Sequence, residues 1–211
     1  MAIITKIEIQ KRNKERVNLF LDGEYAFSIS TELVYKEGLK TKDEIDSDKL
    51  KIIADHESQI RCKNSALRII EKSCKTEKEV RDKLILKGYE DNSINKSIEF
   101  LKEYNFINDS NYTKAFINDK LKSQGSQKIK YSLIQKGISI DNIDEELSNL
   151  NKESEKSTAL NLAKKKFDII KKKESDNYKI SGKLYRYLIS KGYEYDVTSE
   201  VVKEIMSLDE F

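Results

Sequence analysis

Lysines are the residues of this chain whose number and spacing best suit a chemical task. A cluster of ammonium groups attracts the phosphates of a nucleic acid or an acidic groove of a partner protein. A single lysine on a helix is usually only solvated surface, so only a recurring pattern of lysines indicates a binding surface. The candidate binding residues are Lys87, Lys128, Lys130, Lys136, Lys164, Lys165, Lys166, Lys171 and Lys172.

The sequence offers little for catalysis or metal binding. Cys62 and Cys74 lie twelve residues apart in a predicted helix, which separates them by about 18 Å, too far for a disulfide. Two thiols and the single histidine, His56, make a poor metal site. No phosphate-binding glycine loop, His-Glu metal motif or nucleophile elbow occurs. We therefore expect a protein without enzymatic activity, metal or cofactor.

Three Lys-Gly pairs organise the elements that carry these lysines. The pairs are Lys87-Gly88, Lys136-Gly137 and Lys191-Gly192, and their glycines are 49 and 55 residues apart. Apolar residues recur eight and four positions before each glycine, directly after it, and ten and thirteen positions after it. They are Val80, Leu84, Tyr89, Ile98 and Leu101, then Ile129, Leu133, Ile138, Leu147 and Leu150, then Leu184, Leu188, Tyr193, Val202 and Ile205. Such repetition marks a tandem array, in which each glycine ends the second helix of a three-helix unit.

Individual residues near these turns have predictable roles. Tyr89 and Tyr193 are interpreted as core residues rather than base-stacking groups, because Ile138 occupies the equivalent place in the second unit. The run Thr76-Glu77-Lys78-Glu79 matches a capping box. The other helix starts are predicted at Asp91 or Ser93, Asp109, Ser126, Asp141, Ser154, Ser175 and Asp196.

The first thirty residues have a different, alternating pattern. The alternating runs are Lys6–Gln10, Arg16–Leu21 and Glu24–Ile29. Asp22-Gly23 stands between the second and third runs and is a strong hairpin signal. These residues predict a small antiparallel meander, which must pack on another element because so small a sheet is marginal alone.

The predicted fold is all-α, a tandem array of three three-helix, helix-turn-helix-like repeats with a small N-terminal antiparallel β meander. The meander covers residues 1–30, and a helical connector covers 31–60. The connector contains a short helix over Thr31–Glu37 and a helix cap at Thr41 (with Glu44) or at Ser47. One long helix, or two with a kink, then reaches about Ser73. The repeats cover residues 61–105, 106–152 and 153–211.

Composition indicates a strongly charged chain. Of its 211 residues, 36% are charged and 37% apolar, and no run approaches the roughly 18 apolar residues of a membrane span. The start, MAIITKIEIQ, lacks the features of a signal peptide, so we expect a cytoplasmic protein without a membrane partner. We also expect a monomer. The net charge of +3 makes no strong case for nucleic-acid binding by bulk charge.

Charge is segregated in the same way within each predicted unit. Residues 61–88 carry nine basic and four acidic residues (+5), and 89–103 carry two and four (−2). Residues 111–140 carry six and one (+5), and 141–155 carry one and six (−5). Residues 154–192 carry eleven and four (+7), and 193–211 carry one and six (−5). The first two helices of each unit are therefore basic and the third is acidic. An acidic third helix would be repelled by phosphates if it entered a DNA groove.

The motifs of the repeats also resemble those of a known family. Ala66-Leu67, the run from Thr76 to Leu84 and Lys87-Gly88 resemble the first repeat of the RecX regulatory proteins. Phe106-Ile107-Asn108-Asp109 followed by Tyr112 is similar to the start of its second repeat, and Lys128-Ile129 through Lys136-Gly137-Ile138 to its core. The run Leu21-Asp22-Gly23-Glu24-Tyr25-Ala26-Phe27 is similar to the extension of longer members from Gram-positive bacteria.

The resemblance implies a non-catalytic regulator that binds RecA recombinase filaments on DNA. It implies restraint of recombinase and coprotease activity in DNA repair, with single-stranded or duplex DNA bound weakly or through the filament. The basic helices would supply the binding stripe, and reversing Lys128 and Lys130 together is expected to weaken binding without loss of fold. Two alternatives stay open: a direct DNA-binding regulator built of tandem helix-turn-helix-like units, and a purely structural helical scaffold.

Overall fold

The N-terminal strands form one antiparallel sheet in this computed structural model, which describes residues 1–11, 13–149 and 152–208. The predicted meander consists of β1 (Ala2–Ile9), β2 (Arg16–Leu21) and β3 (Glu24–Ser30). A further strand, β4 (Glu44–Ile45), pairs with β1, so the order is β3-β2-β1-β4. The meander is confirmed, and β4 is an addition to it.

The short strand β4 stands where the sequence suggested a helix start. The predicted capping box of Thr41 and Glu44 is wrong, because the chain turns through Lys42 with a φ of 79° and Glu44 then pairs with β1. The backbone N–H of Lys42 donates to the carbonyl of Ile4 at 2.7 Å. This pairing satisfies backbone groups that a helix start would have left open.

Two helices cover the sheet. They are α1 (Thr31–Lys36) and α2 (Ser47–Lys72), and α2 is one uninterrupted helix of 26 residues that passes the expected boundary at residues 60–61. Asp46, and not Ser47, caps α2 with its side chain. The sheet packs on these helices as expected, and the shared core contains Val17, Leu19, Ile29, Leu33, Leu50 and Ala54.

The chain divides into two compact units. The first comprises Met1–Ser73 and Val80–Phe106, and the second comprises Cys74–Glu79 and the chain from Ile107 onward. The first unit contains the sheet, α1, α2, most of α3 (Glu77–Leu86) and all of α4 (Asp91–Glu103). Its helical core consists of Cys62, Ala66, Val80, Leu84, Ile94, Ile98 and Leu101, all of which are buried.

The second unit contains six helices among the described residues. They are α5 (Asp109–Lys120), α6 (Ser126–Gln135), α7 (Ile140–Ser148), α8 (Lys152–Lys171), α9 (Asn177–Lys191) and α10 (Tyr195–Leu208). Helices α5 to α7 share a core of Ile117, Ile129, Leu133, Ile138 and Ile143. Helices α8 to α10 share a larger core that includes Ala159, Ala163, Phe167, Leu184, Leu188, Tyr193 and Val201. The mostly helical fold with three three-helix units is confirmed.

The three repeated glycines end helices as predicted. Gly88, Gly137 and Gly192 have φ values of 78°, 85° and 90°, the left-handed conformation of a helix C-terminus. The residue after each glycine donates its N–H to the carbonyl five positions back, at 3.3, 3.1 and 3.2 Å. Most apolar positions of the signature are buried, including Ile138 and Tyr193; Tyr89 is half-buried, and Leu150 lies outside the described residues.

The helix starts are correct in position but often one to three residues off in their caps. The capping box of Thr76 and Glu79 is confirmed, with both reciprocal bonds at 3.2 Å. Elsewhere the capping side chain is shifted by one or two residues: Asn108 before α5 and Ser139 before α7 come earlier than predicted, and Asp176 before α9 comes one residue later. A cap needs extended backbone and a side chain that reaches the N–H two or three residues later, and several neighbouring Ser, Asp and Asn residues compete for that role.

Candidate functional site

Several basic side chains of the second unit are paired with the acidic third helix of their own repeat. Lys130 on α6 forms an ion pair with Asp144 on α7 at 2.5 Å. Lys114 on α5 reaches Glu146 on α7 at 3.4 Å, and Lys156 on α8 reaches Glu200 on α10 at 2.7 Å. The charge segregation in the sequence therefore partly reflects attraction between helices of one repeat. A cation so engaged has less charge to offer to an external partner.

Lys136 is held in a more enclosed pair. Its Nζ lies 2.6 Å from Oε1 of Glu79 and within 6 Å of the ring centres of Tyr112 and Phe116. The hydrogen bond to Glu79 raises the pKa of Lys136. Burial alone would raise the pKa of Glu79, but hydrogen bonds from Lys136 and the Thr76 N–H outweigh burial and lower it. Lys136 therefore connects the end of α6 to Glu79 on α3.

This ion pair belongs to a contact that we call the first joint, in which the first turn of α3 meets the end of α6. The joint comprises Thr76, Lys78 and Glu79 on one side and the segment Gln135–Gly137 on the other. Thr76 Oγ1 donates to the carbonyl of Lys136 at 2.7 Å, and Lys78 Nζ donates to that of Gln135 at 3.0 Å. A Cβ on Gly137 would lie 2.5 Å from that of Lys78. The carbonyls at the end of α6 thus receive donors from α3.

A second joint has the same design one repeat later. The start of α6 (Gly125–Lys128) meets the end of α9 (Ser190–Gly192), with Glu194 beside it. The N–H of Gly125 donates to the carbonyl of Lys191 at 3.0 Å, and that of Gln127 to the carbonyl of Gly192 at 3.1 Å. Lys128 Nζ also reaches the Ser190 carbonyl at 3.3 Å, and Gln127 Nε2 reaches Glu194 at 2.8 Å. Lys128 therefore spans this joint.

Beside the second joint lies an enclosed tyrosine. Tyr193 is buried, and its hydroxyl has no hydrogen-bond partner among the described residues. Burial, helped by the nearby charge of Glu155, raises the pKa of Tyr193 to about 12. Glu155 in turn accepts the N–H of Ser126 at 2.8 Å. Tyr193 is therefore a neutral core residue, as the signature predicted.

Four candidate lysines in and just after α8 are exposed and lie close together along the chain. We define the α8 lysine cluster as Lys164, Lys165, Lys171 and Lys172, all of which are exposed. A spacing of seven residues puts Lys164 and Lys171 on one helix face. The sequence predicts Lys172 on the same helix, but it lies in the turn just after α8. Among the described residues, Lys164, Lys165 and Lys172 have neither an ion pair nor a hydrogen bond.

The remaining candidate lysines occupy other settings. Lys166 is half-buried, and its Nζ lies 5.4 Å from the ring centre of Tyr187. Lys87 is exposed in the turn after α3 and belongs to the first unit, whereas the other eight belong to the second. The α8 lysine cluster is therefore the part of the predicted set that the fold brings together at the surface.

Neither a metal site nor a membrane span is present in the described part of the chain. Its His, Cys, Asp and Glu residues form no group of three that could hold a metal ion. None of the described helices combines the length and apolar composition needed to cross a bilayer. Cys62 is buried and Cys74 exposed, and both are free thiols.

Family models match nearly the whole chain, segment by segment. The RecX regulatory protein N-terminal domain matches residues 2–46, and the first, second and third RecX three-helix domains match residues 62–101, 108–147 and 153–202. The regulatory protein RecX of Clostridium beijerinckii is 69% identical over 209 residues, 99% of this chain and 98% of that protein. The chain belongs to the RecX family.

More distant RecX proteins share the same extent and fold. Regulatory protein RecX of Clostridioides difficile is 39% identical and covers 100% of this chain and 99% of its own length. A crystal structure of regulatory protein RecX superimposes with a TM-score of 0.67 at 26% identity, covering 97% of this chain and 100% of that one. The structure of RecX from Lactobacillus salivarius, at 24% identity and a TM-score of 0.66, supports the fold over 72% of this chain.

The RecX repeats place the two joints at equivalent positions of successive domains. In each joint, the start of one repeat's second helix meets the Lys-Gly end of the next repeat's second helix. Sequence reasoning found the Lys-Gly pairs but missed this contact. The sequence signal for this contact was Gly125, which stands at a helix start where Ser, Thr, Asp or Asn is more usual. A glycine at such a position indicates that another backbone segment approaches closely.

Proposed function

We propose that this RecX protein binds RecA nucleoprotein filaments and inhibits recombinase and coprotease activity in DNA repair. It acts as a non-catalytic cytoplasmic monomer, and DNA is touched weakly or through the filament. The observation that carries this proposal is the match to RecX proteins along the full chain. Inhibition is steric: the bound protein spans neighbouring RecA protomers and blocks strand exchange or filament growth.

The α8 lysine cluster supports an electrostatic contribution to this binding. Its ammonium groups are exposed, and a set of like charges on one face attracts phosphates or an acidic protein groove over roughly a Debye length. In the acidic helix α7, in contrast, Asp144 and Glu146 form ion pairs within their own repeat. An acidic third helix is also repelled by the phosphates of naked DNA, which favours the filament over sequence-specific duplex reading.

The first test is RecA-dependent ATP hydrolysis on single-stranded DNA, measured with increasing amounts of the purified protein. We expect a concentration-dependent fall in the hydrolysis rate and co-sedimentation with the filament. Unchanged hydrolysis together with no binding to the filament at moderate salt would contradict the proposal. Tight, sequence-selective binding to naked duplex would instead favour the direct DNA-binding alternative.

The second test locates the binding surface. Lys164→Glu with Lys165→Glu reverses two exposed charges of the α8 lysine cluster, and we expect filament affinity to fall about tenfold or more at low salt. The matched control is Lys49→Glu with Lys51→Glu on α2, two exposed lysines with the same change in net charge. Equal losses in both double variants would show a bulk charge effect and remove the α8 lysine cluster from the site.

Lys128 and Lys130 are a less informative pair for reversal than the sequence suggested. Lys130 is bonded to Asp144, and Lys128 donates across the second joint. Reversing both would disturb packing as well as surface charge, so a loss of affinity would have two explanations. Their role in filament binding stays a prediction.

A further inference from the structure

A cleft of about 700 Å³ lies in the first unit between the N-terminal sheet and the helices of the first repeat. Its volume is in the range of small-molecule sites. The family resemblance assigns nothing to this cleft, and it contains no residue of the α8 lysine cluster. Its walls come from the sheet, α2 and the turn after α3.

Two arginines meet in the cleft wall. Arg16 on β2 donates from Nη2 to the carbonyl of Ser28 at 2.6 Å, which fixes its guanidinium. Arg61 on α2 has a buried Nη1 without any hydrogen-bond partner among the described residues. Burial and then the charge of Arg61 lower the pKa of Arg16. The two cations therefore repel one another, and one buried N–H donor lacks an acceptor.

An unpaired buried guanidinium donor is costly, because a charged group that leaves water needs hydrogen bonds in return. The charge of Glu57 partly opposes the lowering of the Arg16 pKa, but one oxygen of Glu57 already accepts the Ser30 N–H at 3.1 Å. The exposed carboxylates Asp55 and Glu90 also line the cleft. Exposed charges are screened by solvent, so they offset the half-buried arginines only weakly.

Two tyrosines stand beside the arginines. The hydroxyl of Tyr89 donates to the carbonyl of Arg61 at 3.3 Å and lies 2.8 Å from Ser65 Oγ. Tyr25 lines the opposite, sheet side and is 57% exposed, so its ring is open to contact with a ligand. Lys87 adds a third cation from the turn after α3.

We propose that this cleft binds a phosphate group, held by Arg16 and Arg61 with Lys87 and the Tyr89 hydroxyl around it. Phosphate oxygens are strong acceptors for guanidinium donors, and an anion bound in the cleft would offset the repulsion between the two arginines that line it. A free nucleotide or the backbone of a single-stranded nucleic acid could supply the group. The proposal does not depend on filament binding.

The experiment is thermal unfolding of the full chain with three probes at matched ionic strength: inorganic phosphate, adenosine 5′-monophosphate and a short oligothymidylate without a terminal phosphate. The wild type should gain about 3 °C in Tm at a probe concentration ten times Kd. A response to phosphate or the mononucleotide identifies a small-molecule site, and a response to the oligonucleotide alone identifies a backbone phosphodiester. No response to any probe overturns the proposal.

The decisive variant is Arg61→Gln, with Arg68→Gln, an exposed arginine of the same helix, as its matched control. Phosphate also stabilises proteins non-specifically, so the control must keep the full response while Arg61→Gln weakens probe affinity at least tenfold. Without a probe, Arg61→Gln should melt no lower than the wild type, because it removes an unpaired cation. An equal probe response in both variants overturns the proposal.

Lys87→Gln keeps the test valid if Arg61→Gln does not fold. Lys87 is exposed at the end of a helix, so its replacement leaves the core untouched. We expect probe affinity to fall about threefold, since one cation at the rim contributes less than a buried guanidinium. Unchanged affinity in a folded Lys87→Gln variant would overturn the proposal as stated, because it places Lys87 around the phosphate.

Discussion

The two joints of the second unit both contact the Lys-Gly end of a helix, but they do so through different chemical groups. In the first joint, side chains make the contact: Thr76 donates to a carbonyl, and Glu79 pairs with Lys136 at 2.6 Å. In the second joint, the backbone of Gly125 donates directly to the carbonyl of Lys191, and a Cβ on Gly125 would overlap the Gly192 carbonyl. The common element is the set of carbonyls left open at the end of a helix.

The difference teaches that the same contact can depend on charge or on the absence of a side chain. An ion pair with partial exposure responds to pH and salt, and its contribution is modest. A glycine in close backbone contact responds to neither, but it tolerates no larger residue. Gly137 makes the first joint sensitive to substitution as well, but the first joint also holds an ion pair, so we expect it to be the joint that responds to pH and salt.

The largest expected effect is at the second joint. Gly192→Ala places a Cβ at a φ of 90° and into the side chain of Lys128, and we expect the free energy of unfolding to fall by about 3 kcal/mol. Gly88→Ala is the matched control, because Gly88 has a similar φ of 78° but open space around it; its expected loss is about 1 kcal/mol. Urea unfolding followed by circular dichroism measures both, and equal losses would show that the joint adds nothing beyond backbone strain.

A smaller effect is expected at the first joint. Glu79→Gln removes the charge that pairs with Lys136 and keeps a hydrogen-bond acceptor, so we expect a loss of about 1 kcal/mol after allowing for partial exposure. Glu200→Gln, which breaks the exposed pair with Lys156, is the control and should leave urea unfolding unchanged. If Glu79→Gln and Glu200→Gln unfold at the same urea concentration, the charge of Glu79 does not stabilise the first joint.

The smallest effect is the pH dependence that Glu79 contributes at the first joint. The folded pKa of Glu79 is lowered relative to an ordinary value of about 4.3, so the unfolded chain binds the proton more readily. The stabilisation is therefore complete above about pH 5 and is lost as the pH falls through the folded pKa. Unfolding curves of the wild type and Glu79→Gln should differ at pH 6, and the difference should shrink as the pH falls below about 4. A difference that stays constant with pH would contradict this assignment.

Much of the local structure could be predicted because local rules decide it. Asp22-Gly23 specifies a hairpin turn, Thr76 and Glu79 specify a capping box, and Gly88 ends a helix whatever surrounds it. The helix caps were less predictable, since neighbouring polar residues such as Asn108 and Asp109 can each cap, and only the backbone angles decide between them. Strand β4 was missed because two residues carry no periodic signal.

The candidate site was predictable only in outline. The sequence shows nine well-placed lysines, but it does not show that Lys130 and Lys136 are engaged by Asp144 and Glu79. Those partners lie 14 and 57 residues away, and such pairings follow from how helices pack. The α8 lysine cluster stands out only after the paired lysines are separated from the exposed ones.

The sequence by itself determined the three repeats, their helix-ending glycines and the family, because these rest on spacing along the chain. Only the tertiary structure decided that the Lys-Gly ends are joints between repeats, that part of the charge segregation is internal pairing, and that Arg16 and Arg61 share a cleft. The physical reason is the same in each case. Spacing specifies local backbone and core positions, whereas the partner of a charge or a carbonyl is set by which distant segment packs against it.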